Sequence, residues 1–261
     1  MNNIERIRAA FKHKAFIPFI TGGDPDIETT KKLIYTLARA GADIVEVGIP
    51  FSDPVAEGPV IEAADERALK AGCTVDKLFD MVKEITYDSS FPDIPILFMT
   101  YYNPIFGYGS EKFVANCVKS GIAGLIVPDL PFDERDELKI FTDKAEIALI
   151  SLIAPTSGER IKNIAENSDA FLYCVSSLGV TGIRSNINNY AQDMINSVRK
   201  VSNIPCAVGF GVSDAQQAKK VSDFADGVII GSAIVKIIAK HGRNALPHVE
   251  NFAKTIVNAI R

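Results

Sequence analysis

The chain has 261 residues, of which 47% are hydrophobic and 23% are charged, and its formal net charge is −4. This composition allows a large buried core and lacks the basic excess that is typical of nucleic-acid-binding proteins. The four cysteines are widely separated and form no C-x-x-C pair, which argues against a zinc site or a disulfide framework. Residues 1–14 contain no apolar signal core, and no apolar run approaches the ~18 residues that a membrane span requires. We therefore expect a soluble, cytoplasmic protein that does not bind nucleic acid.

Eight short β-rich runs follow one another along the chain, and each is ended by a turn and followed by a helix-length segment. In chain order they are AFIPFI, ADIVEV, IPILFM, AGLIVP, EIALISL, AFLYCV, IPCAVGF and DGVII. This alternation predicts βα units with a parallel sheet. Eight such units predict an α/β fold of one closed (β/α)8 TIM barrel. The alternative is an open doubly wound sheet, but no G-x-G-x-x-G opens the first βα turn.

Three additions to the regular barrel are expected. Ile4, Ile7 and Phe11 share one helical face, which predicts an N-terminal docking helix. The long connection after the second strand has room for an extra short helix over 60–71, and another short helix is expected after the eighth strand. No linker or low-complexity tract divides the chain, so we expect one catalytic domain over residues 1–261.

The active site of such a barrel lies at the C-terminal ends of its strands. The three histidines, His13, His241 and His248, are far from every predicted strand end, which argues against histidine catalysis and a metal centre. No lysine ends a strand, which disfavours a Schiff-base aldolase.

Carboxylates are the remaining catalytic candidates. Glu46 lies in an otherwise apolar strand, where an ionised carboxylate costs several kcal/mol unless it is paired or used. We favour general acid/base chemistry over a structural pair at the barrel rim. Glu57, on the following loop, is the second candidate, although a glutamate near a helix start also complements the helix dipole. Asp53 fits a plain turn residue before a proline. Asp129, after the fourth strand, is treated as a supporting residue that caps the next helix or orients a neighbour.

Two glycine turns predict a phosphate site. GFGVSD after the seventh strand and GSAIV after the eighth occupy the usual phosphate-binding place of such barrels. The alternative is that these glycines only relieve crowding. The loop SSLGVTGIRSNI after the sixth strand has the composition of a lid, whose Thr181 and Gly182 would close over a ligand.

Aromatic and apolar residues also collect at these strand ends, although each one alone is more often core. They are Phe19, Ile61, Met99, Tyr101, Phe106, Tyr173 and Phe210. Together they suit a ligand with a flat apolar part. The residues therefore predict a cofactor-free reaction on a phosphorylated molecule that carries a ring, run by two carboxylates.

Seven motifs, spread over nearly the whole chain, resemble the α subunit of tryptophan synthase. They are PFITGGDP (18–25), EVGIPFSDPVAEGP (46–59), MTYYNPIF (99–106), VPDLP (127–131), SSLGVTGIRS (176–185), GFGVS (209–213) and GSAIVK (231–236). The second and fifth are highly specific. The resemblance implies a TIM barrel that cleaves indole-3-glycerol phosphate to indole and glyceraldehyde 3-phosphate by a retro-aldol reaction.

The resemblance also implies residue roles. Glu46 matches the family's catalytic glutamate, which protonates the indole ring carbon and assists removal of the glycerol hydroxyl proton. Position 57 matches its catalytic aspartate, which accepts a hydrogen bond from the indole N–H. Here the family's S-D-P-x-A-D-G-P reads SDPVAEGP, and Glu57 is one methylene longer. The expected substrate-binding residues are Phe19, Ile61, Tyr101 and Tyr173 around the substrate, Thr181 on the lid, and Gly182, Gly209, Phe210, Gly211, Gly231 and Ser232 at the phosphate.

The family's partner is a β subunit that carries pyridoxal phosphate, whereas the α subunit has no cofactor of its own. The resemblance therefore implies a heterotetramer of the α2β2 type, with Asp53, Pro54, Asn103, Pro104 and Pro131 facing the partner. Two other interpretations stay open: a free-standing indole-3-glycerol phosphate lyase, and a weakly active barrel that serves mainly as an allosteric partner of a β subunit.

Overall fold

A computed structural model of the protein describes residues 1–175, 187–209 and 211–261. Within these ranges eight parallel strands form a closed barrel in sequence order, β1 to β8. Their bounds are Ala15–Thr21, Val45–Gly48, Ile96–Met99, Gly124–Ile126, Ala148–Ile153, Leu172–Val175, Cys206–Gly209 and Gly227–Ile230. The predicted TIM barrel is confirmed, and the open sheet is excluded because β1 pairs with β8 as well as with β2.

Helices follow the strands in the alternation that the sequence predicts. The helices of the described residues are α1 (Asn3–Ala9), α2 (Ile27–Arg39), α3 (Pro59–Lys70), α4 (Val75–Thr86), α5 (Tyr102–Tyr108), α6 (Ser110–Ser120), α7 (Asp136–Lys144), α8 (Arg160–Glu166), α9 (Ile187–Arg199), α10 (Ala215–Ser222), α11 (Ser232–His241) and α12 (Leu246–Ile260). No helix in this part of the chain is long and apolar enough to cross a membrane.

The expected additions are present. Helix α1 is the N-terminal docking helix, α3 is the extra helix after β2, and α11 precedes the regular helix α12 after β8. A further short helix, α5, follows β3 and was not predicted. It spans only seven residues and has Pro104 in its first turn, where proline is tolerated.

Strand parity divides the core into an inner and an outer layer. On β1, Ile17 and Phe19 join the cluster inside the barrel, whereas Phe16 and Ile20 join the cluster between strands and helices. Alternate residues of a strand face opposite sides. Glu46 has the parity of Ile44, which belongs to the inner cluster. Its side chain therefore points into the barrel.

The inner layer is closed at its N-terminal end by α1 and by the short turn Ala10–Lys12 that follows it. Ile7 is fully buried in the inner cluster, and the Phe11 and Phe171 rings lie 5.2 Å apart, centroid to centroid. The C-terminal end of the barrel holds a cavity.

Candidate active site

A cavity opens at the C-terminal ends of the strands, as the fold predicts. It encloses about 560 Å³ of space, including its open mouth. Its wall is mostly apolar, with one carboxylate, from Glu57, and two hydroxyl groups, from Tyr173 and Ser232. The lining residues are Phe19, Glu57, Gly58, Ile61, Met99, Tyr173, Val212, Ile229, Gly231 and Ser232. Gly58, Val212 and Ile229 were not predicted, because apolar and glycine positions carry no chemical signal of their own.

Glu46 lies deeper in the barrel, beside this cavity. In the strand register it stands opposite Phe19 on β1 and Leu97 on β3, and it is fully buried. Neither carboxyl oxygen has a hydrogen-bond partner among the described residues. Burial therefore raises the pKa of Glu46 well above its ordinary value and favours the protonated carboxyl, the form that can donate a proton. Burial raises the pKa of the Tyr173 hydroxyl, and a negative charge on Glu46 would raise it further.

Glu57 lies on the loop before α3 and reaches the cavity wall. Its neighbour is Asp65, on the buried face of α3, and the two carboxyl groups are close enough to share a proton. Burial raises the pKa of Glu57, and the interaction with Asp65 offsets part of this rise. Burial and the charge of Glu57 raise the pKa of Asp65 to about 8. The sequence prediction missed Asp65, although its spacing from Ile61 and Ala68 places it on the apolar stripe of α3.

Tyr101 is buried, but it does not line the cavity. Its hydroxyl accepts a hydrogen bond from the Ala56 amide at 3.0 Å, and its ring lies 5.6 Å from that of Phe51, centroid to centroid. Burial raises the pKa of the Tyr101 hydroxyl to about 12, so it stays protonated. Tyr101 therefore holds the loop that carries Glu57.

Two glycines give the Phe19 ring its place. A Cβ on Gly48 would lie 2.6 Å from Phe19 Cζ, and one on Gly231 would lie 3.1 Å from Phe19 Cδ1. Gly209 packs in the same way against Tyr173, where a Cβ would lie 2.5 Å from the hydroxyl oxygen. At Gly209 and Gly231, relief of crowding is thus part of what glycine does.

The predicted phosphate residues that line the cavity are Gly231 and Ser232, where α11 begins. The first amides of a helix have no partner within the helix and can bind an anion. Gly211 has φ 86°, which glycine adopts without strain. Thr181, Gly182 and Phe210 lie outside the described residues.

Asp129 does not reach the cavity. It is exposed and accepts a hydrogen bond from the Tyr102 amide at 2.9 Å, so it caps α5. Near it, at the same end of the barrel, Asp53, Asn103 and Pro131 are exposed, whereas Pro54 and Pro104 are half-buried.

Two large apolar side chains are exposed near the expected partner-facing residues, one on the loop after β2 and one on helix α5. They are Val55, 76% exposed, and Phe106, 68% exposed. Among the described residues, no three histidine, cysteine or carboxylate side chains are grouped so that they could hold a metal ion.

Comparison with known proteins agrees with this geometry. The family model described as "Tryptophan synthase alpha chain" matches residues 7–260. The chain belongs to this family. A tryptophan synthase alpha chain from Lacticaseibacillus casei is 45% identical over 258 residues, which are 98% of this chain and 96% of that protein.

Solved structures of the family have the same fold. Tryptophan synthase subunit alpha from Legionella pneumophila str. Paris is 34% identical with a TM-score of 0.89, and the match covers 100% of this chain and 98% of that one. A chain of the tryptophan synthase complex from Pyrococcus furiosus is 35% identical with a TM-score of 0.84, covering 95% of this chain and 99% of that one. As a member of the tryptophan synthase alpha chain family, the protein is a lyase of tryptophan biosynthesis.

Proposed function

We propose that this chain cleaves indole-3-glycerol phosphate to indole and glyceraldehyde 3-phosphate, as the α subunit of tryptophan synthase, with residues 1–261 acting as one catalytic domain. The observation that carries the proposal is Glu46, a fully buried carboxyl group without a described hydrogen-bond partner, beside a cavity walled by apolar side chains and a second carboxylate. An unpaired buried carboxyl is costly to keep. Proton transfer to a bound substrate explains its presence better than a structural pair.

The retro-aldol step requires one proton to be added to the ring carbon and one proton to be removed from the glycerol hydroxyl. Glu46, kept neutral by burial, donates its proton to the ring carbon that bears the glycerol chain. The bond between that carbon and the chain then breaks, and its electron pair returns to the ring. The adjacent hydroxyl becomes the aldehyde, and its proton returns to the Glu46 carboxylate. The carboxyl therefore ends the cycle as it began.

Protonation of the ring carbon places positive charge on the ring nitrogen. Glu57, on the cavity wall, accepts a hydrogen bond from the ring N–H and stabilises this charge. A charge-assisted hydrogen bond in a site closed to water stabilises a transition state by several kcal/mol. The two carboxyl groups thus have different roles because one is neutral and the other ionised.

The rest of the cavity suits the two ends of the substrate. Phe19, Ile61, Met99 and Tyr173 offer apolar surface to the indole ring. At the other end, Gly231 and Ser232 place the start of α11 at the cavity, where its amides and the Ser232 hydroxyl bind phosphate. The reaction uses carboxyl groups alone, so the chain needs no cofactor of its own.

We infer that a β subunit binds at the C-terminal end of the barrel, over Asp53, Pro54, Asn103, Pro104 and Pro131, in a cytoplasmic α2β2 assembly with pyridoxal phosphate in the β chain. The exposed Val55 and Phe106 side chains add apolar surface to the loop after β2 and to α5, which carry most of these residues, and exposed apolar groups mark protein interfaces. The family match does not favour a free-standing lyase or a weakly active allosteric barrel.

The test is an assay of indole release from indole-3-glycerol phosphate, with the chain alone and with its cognate β chain. We expect turnover that the β chain increases, because ordering the loop after β2 improves the position of Glu57. Val55→Ser with Phe106→Ser should weaken the increase while leaving turnover of the isolated chain unchanged. Absence of turnover in both conditions would overturn the proposal, and turnover indifferent to the β chain would favour the free-standing lyase.

A further inference from the structure

Helix α3 places a second carboxyl group directly behind Glu57. The buried face of α3 consists of Ile61, Ala64, Asp65 and Ala68. Ile61 lines the cavity, and Asp65, one turn further along the helix, is only 4% exposed. An acidic residue on the apolar stripe of a helix is rare unless it is paired. Asp65 therefore needs partners, and among the described residues Glu57 is one of them, beside the Phe51 amide and the Thr21 hydroxyl.

The contact between these two side chains requires a shared proton. Two ionised carboxylates have no donor between them and repel each other, whereas a protonated carboxyl donates to an ionised one. No amide, hydroxyl or ammonium donor among the described residues binds the buried Glu57 Oε2. The hydrogen bond with Asp65 lowers the pKa of Glu57 against the effect of burial, while burial and the Glu57 charge raise that of Asp65 to about 8. These effects favour Asp65 as the member of the pair that holds the proton.

The charged groups around Glu57 and Asp65 do not move the shared proton away from Asp65. On α3, the exposed Glu62 raises the pKa of Glu57, and Arg67 is held by Asp24 through two hydrogen bonds of 2.9 and 2.8 Å. On the other elements, the Phe51 amide and the Thr21 hydroxyl lower the pKa of Asp65. Two further neighbours, Tyr101 and Cys73, are uncharged at neutral pH because burial raises the pKa of both.

We propose that Asp65 is a positioning residue for Glu57: in its protonated form it donates a hydrogen bond that holds the Glu57 carboxylate at the cavity wall, ready to accept the substrate's ring N–H. A glutamate has one more rotatable bond than an aspartate, so its carboxylate is harder to fix in place. The hydrogen bond from Asp65 supplies that fixation and leaves the second oxygen of Glu57 for the substrate. This inference rests on the proposed lyase function.

The kinetic test compares native protein, Asp65→Ala, Asp65→Asn and the matched control Glu66→Gln, an exposed glutamate on the same helix. We expect Asp65→Ala to lower kcat about tenfold or more with little change in KM, because Glu57 loses a charge-assisted hydrogen bond. Asp65→Asn should recover most of this loss, since its amide also donates, and Glu66→Gln should match the native protein. Native kcat in Asp65→Ala would overturn the proposal.

The pH profile separates positioning from a merely structural role. In the native protein, kcat should begin to fall near pH 8, when Asp65 loses its proton, and Asp65→Asn should lack this ionisation. Carboxyl-carbon NMR titration should find the Asp65 pKa near 8 in the native protein and lower in Glu57→Gln. An unshifted Asp65 titration would refute the pairing, whether or not the protein cleaves indole-3-glycerol phosphate. Failure of native turnover alone would refute only the proposed function.

Discussion

Shortening Glu57 by one methylene, as Glu57→Asp, tests whether the loop between β2 and α3 is built for the longer side chain. The backbone is anchored on both sides of this residue. The preceding Ala56 amide is held by the Tyr101 hydroxyl at 3.0 Å, and the buried Gly58 leads into Pro59 at the start of α3. The backbone therefore cannot readily follow the shortened side chain. The shorter side chain withdraws the carboxylate by about 1 Å from the ring N–H. A misplacement of that size lowers the rate by as much as about a hundredfold.

The assay is steady-state cleavage of indole-3-glycerol phosphate by the isolated chain and by the chain with its β partner. We expect kcat of Glu57→Asp to fall between about tenfold and a hundredfold, with a smaller change in KM. Glu66→Asp is the matched control, because it shortens an exposed glutamate of α3 that is paired with Lys70. A Glu57→Asp variant as fast as the native protein, or faster, would refute the reasoning and make the longer side chain a handicap.

Three further changes test individual contacts. Gly48→Ala would place a Cβ 2.6 Å from Phe19 Cζ; we expect a loss of about 1–3 kcal/mol in the free energy of unfolding, measured by urea denaturation, and a higher KM as the ring moves into the cavity. Tyr101→Phe removes the acceptor of the Ala56 amide and should cost about 1 kcal/mol and several-fold in kcat, whereas unchanged kcat would mean that this contact does not hold the loop. Folded Asp65 keeps its proton to about pH 8 while the unfolded residue loses it near 3.8, so stability falls as pH rises between these values. Asp65→Asn should therefore raise the melting temperature more at pH 8 than at pH 5, and an equal change at both would contradict the raised pKa.

The eight strands can be predicted from the sequence because buried parallel strands are nearly continuous apolar runs. Glu46 is readable for the same reason, since a carboxylate interrupts such a run, and strand parity places it inside the barrel. Helix α5 was missed because seven residues with a proline in the first turn resemble a loop. Its cap, Asp129, could be assigned to a helix start or a neighbour, but only the structure identifies the Tyr102 amide as its partner.

Other parts of the site depend on contacts between distant segments. The sequence predicts Tyr101 as a substrate-lining residue, but only the structure shows that its hydroxyl accepts a hydrogen bond from the Ala56 amide of another loop. The spacing of Asp65 places it on the apolar stripe of α3, but only the packing of α3 identifies Glu57 as its neighbour. The space that Gly48 leaves for Phe19 depends on the strand register between β1 and β2. Such pairings are set by tertiary packing, which local periodicity does not specify.

The proton-transfer role of Glu46 is the central claim, and the rate of indole release by Glu46→Gln tests it most directly. Glutamine keeps the size of the side chain but cannot exchange a proton, so we expect kcat to fall by a factor on the order of 10²–10⁴, with the melting temperature close to that of the native protein. The loss should persist when the β chain is present. Turnover within a few-fold of the native rate in a folded Glu46→Gln protein would contradict the account.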